Sequence, residues 1–517
     1  MKYFSTRGGD VELDFEEVVL AGLAPDGGLY IPTEIPQLPD NWENEWSDFS
    51  YQDLAVSILS LFISPSELSR DEITELVYNT YPYPQKFRNP LVTPLVPLSE
   101  KLHILELFHG PTYAFKDLAL QLVGNLFEFF LRRRNQRKAA GERAERLTVL
   151  GATSGDTGSA AIYGLRNKAN ISIFILFPRG RVSEIQEAQM TTVMDANVHN
   201  VKVAGTFDDC QDIVKTLFSD KAFNEKHSLA AVNSINWARI LVQIVYYFSA
   251  YFQLKKSLGA SLTPDIQFVV PTGNFGDVLA GYYAKRMMLP MRKLGIATNA
   301  NDILTRFWKT GTYAKVDPAS GSEDVKETLS PAMDITVSSN FERLLWYLAY
   351  QATPLDSPTR RVTACRTVAG WMAAVKKEGK MSVSDDVLQA AREDFIAGKV
   401  DDQQITETIF KYYKGSPPYI PDPHTAVGLH AAAAFSRNGE NSESTTQIVL
   451  ATAHPAKFSM AVNRALGGVE GFDFDHEVLP DEFRNFLAGE RRVIDVDLPD
   501  PVLVKETIEK VAREEMR

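Results

Sequence analysis

Residues 106–120 read ELFHGPTYAFKDLAL, and this stretch decides how the rest of the chain is read. Its first half carries Gly110 and Pro111, which turn a chain sharply. Beyond it, Leu118, Leu122, Leu126 and Phe130 recur every four residues, the spacing of a buried helix face. Lys116 therefore stands where an open loop becomes a packed helix. Partial desolvation at such an edge favours the neutral amine, and a neutral amine can hold an aldehyde. Alone the position proves little, because most lysines at helix starts are solvated surface groups.

Working outward, the chain from about residue 100 alternates strand, glycine-rich loop and helix. Residues 148–150, 171–177, 198–203, 266–270 and 447–451 are short apolar runs with the character of strands, and 183–194 and 208–220 have helical spacing. Continuous apolar strands alternating with helices predict an α/β fold whose parallel sheets are covered on both faces. Two of the loops are rich in glycine: GATSGDTGS at 151–159 and PTGNFGD at 271–277. In an open parallel sheet ligands bind beyond the carboxyl ends of strands, where both loops are placed. Backbone N–H groups backed by a helix amino terminus suit an anion, so 273–277 fits a phosphate and 153–158 a carboxylate. Neither loop contains GK[ST] or GxGxxG, which disfavours a nucleotide enzyme. Two anion loops and a poised lysine together point to a phosphorylated aldehyde, pyridoxal phosphate.

Composition narrows the classes. With 517 residues the chain is long for one core, and 44% hydrophobic with 23% charged residues is ordinary for a globular protein. The net charge of −12 works against nucleic acid and anionic membrane surfaces. The basic run Arg132, Arg133, Arg134, Arg137 and Lys138 falls at the end of the helix that starts near Lys116, where cations complement the helix dipole. Cys210 and Cys365 are the only cysteines and lie far apart, giving neither a metal spacing nor a disulfide framework, and no histidine cluster suggests a metal. The start, MKYFSTRGGDVELDFEEVV, is too acidic for a targeting peptide, and no apolar run approaches the roughly 20 residues of a membrane span, so a cytoplasmic location is expected.

Residues 1–84 read as a small, mainly helical N-terminal domain, with helical patterns at 51–62 and 65–79, closed by a connector punctuated by Pro82, Pro84, Pro90, Pro94 and Pro97. A catalytic region over 95–470 follows, with a smaller lobe at about 144–250, and a charged tail over 471–517 whose last fifteen or so residues look helical. Residues 296–340 look irregular, and 353–420 read as helices with loops inserted into the frame.

Taken together, HGPTYAFKD, GATSGDTGSA, PTGNFGD and TAHPAKF, with YFSTRGG and LAPDGGLYIP near the start, resemble the threonine synthases, in their longer fungal and bacterial branch. The resemblance runs to about residue 465. It implies the two-lobed pyridoxal-phosphate fold type II, tryptophan-synthase-β-like, and conversion of O-phospho-L-homoserine and water to L-threonine and phosphate by γ-elimination and β-addition of water. It places the cofactor's covalent link on Lys116, its phosphate on Gly273, Asn274, Phe275, Gly276 and Asp277, and the partner of its ring nitrogen on Thr452. A neutral hydroxyl there moderates the electron sink, which suits elimination over transamination. Thr153, Ser154, Asp156 and Thr157 are assigned to the substrate carboxylate, although Asp156 replaces the Asn common in the wider fold type. The leaving phosphate is poorly marked: Ser154, Asn236, Arg239, Lys309, Asn340 and Arg343 are candidates, each also readable as structural. His109 and His454 lie inside matched motifs, whereas His424 and His430 can simply pack a helix start. The implied partners are the small substrate alone, in a monomer or homodimer; a serine or threonine dehydratase-like enzyme, or a noncatalytic relative, are the alternative readings.

Overall fold

The computed structural model describes residues 1–259, 263–317, 320–354 and 359–515. They form two compact units, one of residues 1–110 with 234–478 and one of residues 111–233 with 479–517.

The first unit is built on a six-stranded sheet in the order Phe395–Lys399, Leu294–Thr298, Ile266–Pro271, Thr446–Ala451, Leu102–Glu106, Leu95–Ser99. Every neighbouring pair is parallel except the last. Ile266–Pro271, Leu294–Thr298 and Thr446–Ala451 are buried at every position, as a parallel sheet covered on both faces requires. The register pairs Val449 with Val269 and Ala451 with Glu106, so the chain leaves the strands after Glu106, Pro271 and Ala451 at one edge of the sheet. The long helix Trp237–Leu258, buried along most of its length, packs on Gly276–Arg286 and on Tyr51–Phe62.

The N-terminal residues belong to this unit. The helices Tyr51–Phe62 and Arg70–Thr80 each begin with a capping box, Ser50 with Asp53 and Ser69 with Glu72. An antiparallel pair, Tyr3–Ser5 with Tyr30–Pro32, accompanies them, and the fully buried Tyr3 ring lies 5.7 Å from Trp237. The stretches read as irregular or inserted hold more sheet than the sequence suggests: Leu294–Thr298 is a central strand and Phe395–Lys399 an edge strand. Phe395–Lys399 (FIAGK) escapes recognition because only its first residue is fully buried and a glycine interrupts it. Residues 318–319 and 355–358 of those stretches, and 516–517 of the tail, lie outside the described residues.

The second unit holds five parallel strands in the order Ile494–Val496, Val198–Val203, Ile171–Pro178, Leu147–Ala152, Leu229–Ala230. Its helices Lys116–Gln136 and Asp156–Leu165 pack against each other. The charged tail has a structural task here. Ile494–Val496 extends the sheet, and Pro501–Glu514 sets Val504 and Ile508 into a core with Cys210, Ile213 and Leu217. Glu515 then receives hydrogen bonds from Ser172 and Arg146 and pairs with His199. Among the described residues no helix is long and apolar enough to cross a membrane.

Candidate active site

In the second unit Lys116 is the first residue of the 21-residue helix Lys116–Gln136 and only 8% exposed. The loop before it is closed by the next residue. Asp117, fully buried, accepts from the Thr112 amide at 2.7 Å and from the Thr112 hydroxyl at 2.7 Å, so the turn that delivers the lysine is fastened to the helix it opens. The Lys116 amine lies 3.9 Å from the Asp156 carboxylate and 4.8 Å from the Phe115 ring centroid.

Asp156 opens the helix Asp156–Leu165, and its other oxygen accepts from Gln186 at 2.9 Å. Gln186 belongs to the helix Glu184–Thr191 and its amide oxygen accepts from Ser183 at 3.0 Å. Gly155 has φ +154°, and a Cβ there would meet the Gln186 amide at 2.5 Å, so only glycine lets that side chain lie across the loop. The Thr153 hydroxyl accepts from the amides of Gly155 (3.0 Å) and Gly158 (2.9 Å), so it holds the loop's own backbone. Ser154 is exposed and Thr157 half-buried. Of the residues read from sequence in this unit, the fold thus brings Lys116 and Asp156 together.

In the first unit Thr272 to Phe275 lead from the buried strand Ile266–Pro271 into the helix Gly276–Arg286. Phe275 caps that helix in the left-handed conformation, φ +62°, a strain of about 1 kcal/mol for a residue with a side chain. Its buried ring fixes it there, stacked on Trp308 and edge-on to Phe341. Gly273 is required by close approach: a Cβ would lie 2.9 Å from the Ala332 carbonyl oxygen. The Gly273 carbonyl accepts from the Ser338 hydroxyl at 2.6 Å, and the Asn274 carbonyl accepts from both the backbone and side-chain N–H of Asn340 at 3.0 Å. The result is a preset turn whose freed amides sit at a helix amino terminus, an arrangement that receives phosphate.

Asp277 has a different place from the one its motif suggests. Its carboxylate turns to the helix Trp237–Leu258, where the Tyr246 and Tyr247 hydroxyls both donate to it, and burial pushes its pKa up to about 7. Thr452, 7% exposed, follows Ala451 at the same sheet edge as the glycine loop. Beside it His454 caps the 3₁₀ turn Pro455–Phe458 by accepting from the Ala456 amide, and burial pushes its pKa down to about 4, leaving it neutral. His109 pairs with Glu106 at 2.8 Å, and Glu106 also accepts from the Tyr419 hydroxyl at 3.1 Å.

The candidates for a leaving phosphate separate clearly. Asn236 caps its helix through Ala238 and donates to the Val19 carbonyl. Asn340 braces the glycine loop, and Arg343 donates to the carbonyls of Tyr30 and Ile235 and to Asn340. Lys309 and Ser154 are exposed. Arg239 and Arg343 are both buried cations, but of the two only Arg239, 4% exposed, leaves Nε and Nη1 without a hydrogen-bond partner among the described residues, and burial lowers its pKa to about 10.

Sequence reading passed over three supports. The N-terminal Thr6 and Arg7 converge on Glu342, with the Thr6 hydroxyl at 2.6 Å and the guanidinium bidentate at 2.9 and 2.7 Å. His424 packs a helix start, as read, but it also accepts from the Ala332 amide at 3.1 Å while its other nitrogen donates to Asp422 at 2.7 Å. Gln186 is the third. None carries a local motif, because Glu342, Ala332 and Asp156, the groups they reach, are far away in sequence.

Comparison with known proteins agrees with this geometry. Residues 2–81 match the family model for the threonine synthase N terminus, 88–352 that for pyridoxal-phosphate dependent enzymes, and 425–508 that for the threonine synthase C-terminal region. The chain is 53% identical to the threonine synthase of Schizosaccharomyces pombe over 514 residues, 98% of each chain. It is 45% identical to that of Pseudomonas aeruginosa over 90% of each. Among solved structures it superposes on threonine synthase from yeast with a TM-score of 0.93 at 49% identity, covering 99% of each chain. It superposes on the pyridoxal-phosphate-bound threonine synthase of Brucella melitensis with a TM-score of 0.86 at 40% identity, covering 99% of this chain and all of that one. A fold of parallel sheets, a buried lysine opening a helix and a preset anion turn thus meet in a chain that belongs to the threonine synthase family of pyridoxal-phosphate-dependent enzymes.

Proposed function

We propose that this protein converts O-phospho-L-homoserine and water to L-threonine and phosphate, with Lys116 as its catalytic residue. The residues present fit pyridoxal phosphate. The turn at 273–276 brings its backbone closer to Ala332 than a side chain on Gly273 would allow, and it ends on a helix of eleven residues whose first amides point out of the turn. Those amides and Asn274 would hold the phosphate, the Lys116 amine would form the covalent link, and the Thr452 hydroxyl would meet the ring nitrogen. Bound there, the cofactor supplies an electron sink that stabilises the charge left when the substrate's Cα loses its proton.

The chain's own groups do the rest. Lys116 would be the base that removes protons at Cα and Cβ and the acid that returns one at Cγ and one at Cα, while the proton shed by the water that adds at Cβ would go to the departing phosphate. Arg239 is the side chain we assign to the phosphate that leaves, since its open guanidinium donors lack a protein partner. Asp277 acts through Tyr246 and Tyr247 on the seat of the glycine loop and not on a ligand. The substrate is a small molecule; we infer further a cytoplasmic location, consistent with two buried, unpaired cysteines, and a monomer or homodimer.

The observation that carries this reading is the buried amine of Lys116 at a helix start. Lys116→Ala is expected to abolish covalently held cofactor and phosphate release from O-phospho-L-homoserine. Retained turnover, or a keto acid formed from threonine by the unaltered protein, would overturn it.

A further inference from the structure

The side chain of Asp156 is the wrong charge to receive a substrate carboxylate, and its two oxygens are already aimed elsewhere. One accepts from Gln186 at 2.9 Å; the other faces the Lys116 amine at 3.9 Å. We propose that Asp156, oriented by Gln186, is a positioning residue for Lys116, holding its nitrogen in place and favouring the positively charged form. This rests on the reading of Lys116 given above and deepens it. Four side chains form a chain through one unit: Ser183 fixes the Gln186 amide, Gln186 fixes the Asp156 carboxylate, and the carboxylate faces the Lys116 amine. Asp156 is 7% exposed and Gln186 6%, so little water screens the pair. Gly155 is the accommodation the backbone makes for it, because any Cβ would displace Gln186.

The other charged groups on the elements packed around this end are committed to other partners. Asp117 is closed on Thr112, Glu187 pairs with Lys202 at 2.6 Å, and Glu482 accepts from the Tyr113 hydroxyl at 2.9 Å. Glu184 is exposed in the first turn of its helix. Asp156 is therefore a carboxylate that this unit presents to Lys116. A negative charge at that distance does two things a neutral Asn would not. It stabilises positive charge on the nitrogen through which the cofactor is held, and it stabilises the ammonium formed once the freed amine has taken a proton, the form that must later return one at Cγ.

The test follows the visible absorbance of the cofactor-loaded protein against pH, with borohydride reduction and peptide mapping to locate the cofactor. Asp156→Asn is expected to move the midpoint of the absorbance transition down by about one unit or more. Gln186→Leu, which leaves the charge but frees its orientation, is expected to move it the same way by less, and it carries the test if Asp156→Asn fails to bind cofactor. Midpoints unchanged in the variants that bind, with the label still on Lys116, would overturn the positioning role and leave the function standing. A label found on another lysine in the unaltered protein would overturn the function itself.

Discussion

The turns at 273–277 and 153–158 both join a buried parallel strand to a helix through glycine, yet their supports differ in origin. The first is braced by distant chain: Ser338 and Asn340 hold its carbonyls, and the helix that begins at Phe341 carries Glu342, which Thr6 and Arg7 grip. The second is held by Thr153 within the loop and by Gln186 from the next helix. One is an anchor fixed by tertiary structure and the other a locally closed loop, which suits the roles we propose for them, a phosphate held throughout turnover in one case and groups that exchange partners in the other. The difference also gives the N-terminal signature a physical meaning: STRGG supplies the clamp on the brace of the anion turn.

The largest expected effect comes from breaking that clamp. Glu342 is only 5% exposed, so Arg7→Leu strands a buried carboxylate and should cost about 3–4 kcal/mol in denaturant unfolding, with weaker cofactor binding. Arg7→Lys keeps the charge but not the bidentate geometry and should fall between. Equal stability of all three proteins would break the link between signature and loop.

Next is the carboxyl of Asp277, also on the braced side. Its folded pKa of about 7 stands above the ordinary 3.8, so its contribution is fully present below pH 4 and is lost as pH rises through 7. Wild type should lose on the order of 3 kcal/mol more than Asp277→Asn across that window. Parallel curves of thermal midpoint against pH would show that Tyr246 and Tyr247 hold an ionised group.

On the locally held loop the effects are smaller. Thr153→Val leaves the amides of Gly155 and Gly158 without their acceptor and should cost about 1–2 kcal/mol, whereas Thr153→Ser should restore most of it. A similar loss in both would mean that packing, not the hydroxyl, closes the loop.

This contrast also explains what the sequence could tell. Lys116, the two glycine loops and the buried strands were legible because each is a local pattern: periodic apolar residues, glycine beside a strand, a lysine at a helix start. The direction of Asp277 was not, since the motif places it beside an anion loop while Tyr246 and Tyr247, a helix away, draw it off. Nor were Gln186 and His424, whose partners lie 30 and 92 positions away. The strand Phe395–Lys399 was hidden by its half-exposed edge position. The tail's strand was hidden too, being three residues long and made by pairing with residues 201–203.

The smallest effect sharpens the comparison from the far end of the same sheet. Asp265, at the opposite end of Ile266–Pro271 from the glycine loop, accepts from Arg292 at 2.6 Å and from Ser444 and Thr445, and Arg292 holds its pKa down at about 2. Its stabilisation is present above pH 4 and lost as pH falls toward 2, the reverse of Asp277. Because the side chain is 29% exposed, solvent screening leaves it worth less than about 1 kcal/mol, so Asp265→Asn should lower stability slightly at pH 7 and be neutral at pH 2. The two carboxylates, one just before the strand and one in the helix that follows the glycine loop, thus predict opposite slopes. A loss of cofactor affinity in Asp265→Asn as large as in Arg7→Leu would mean that the anion turn depends on the whole strand and not on its brace.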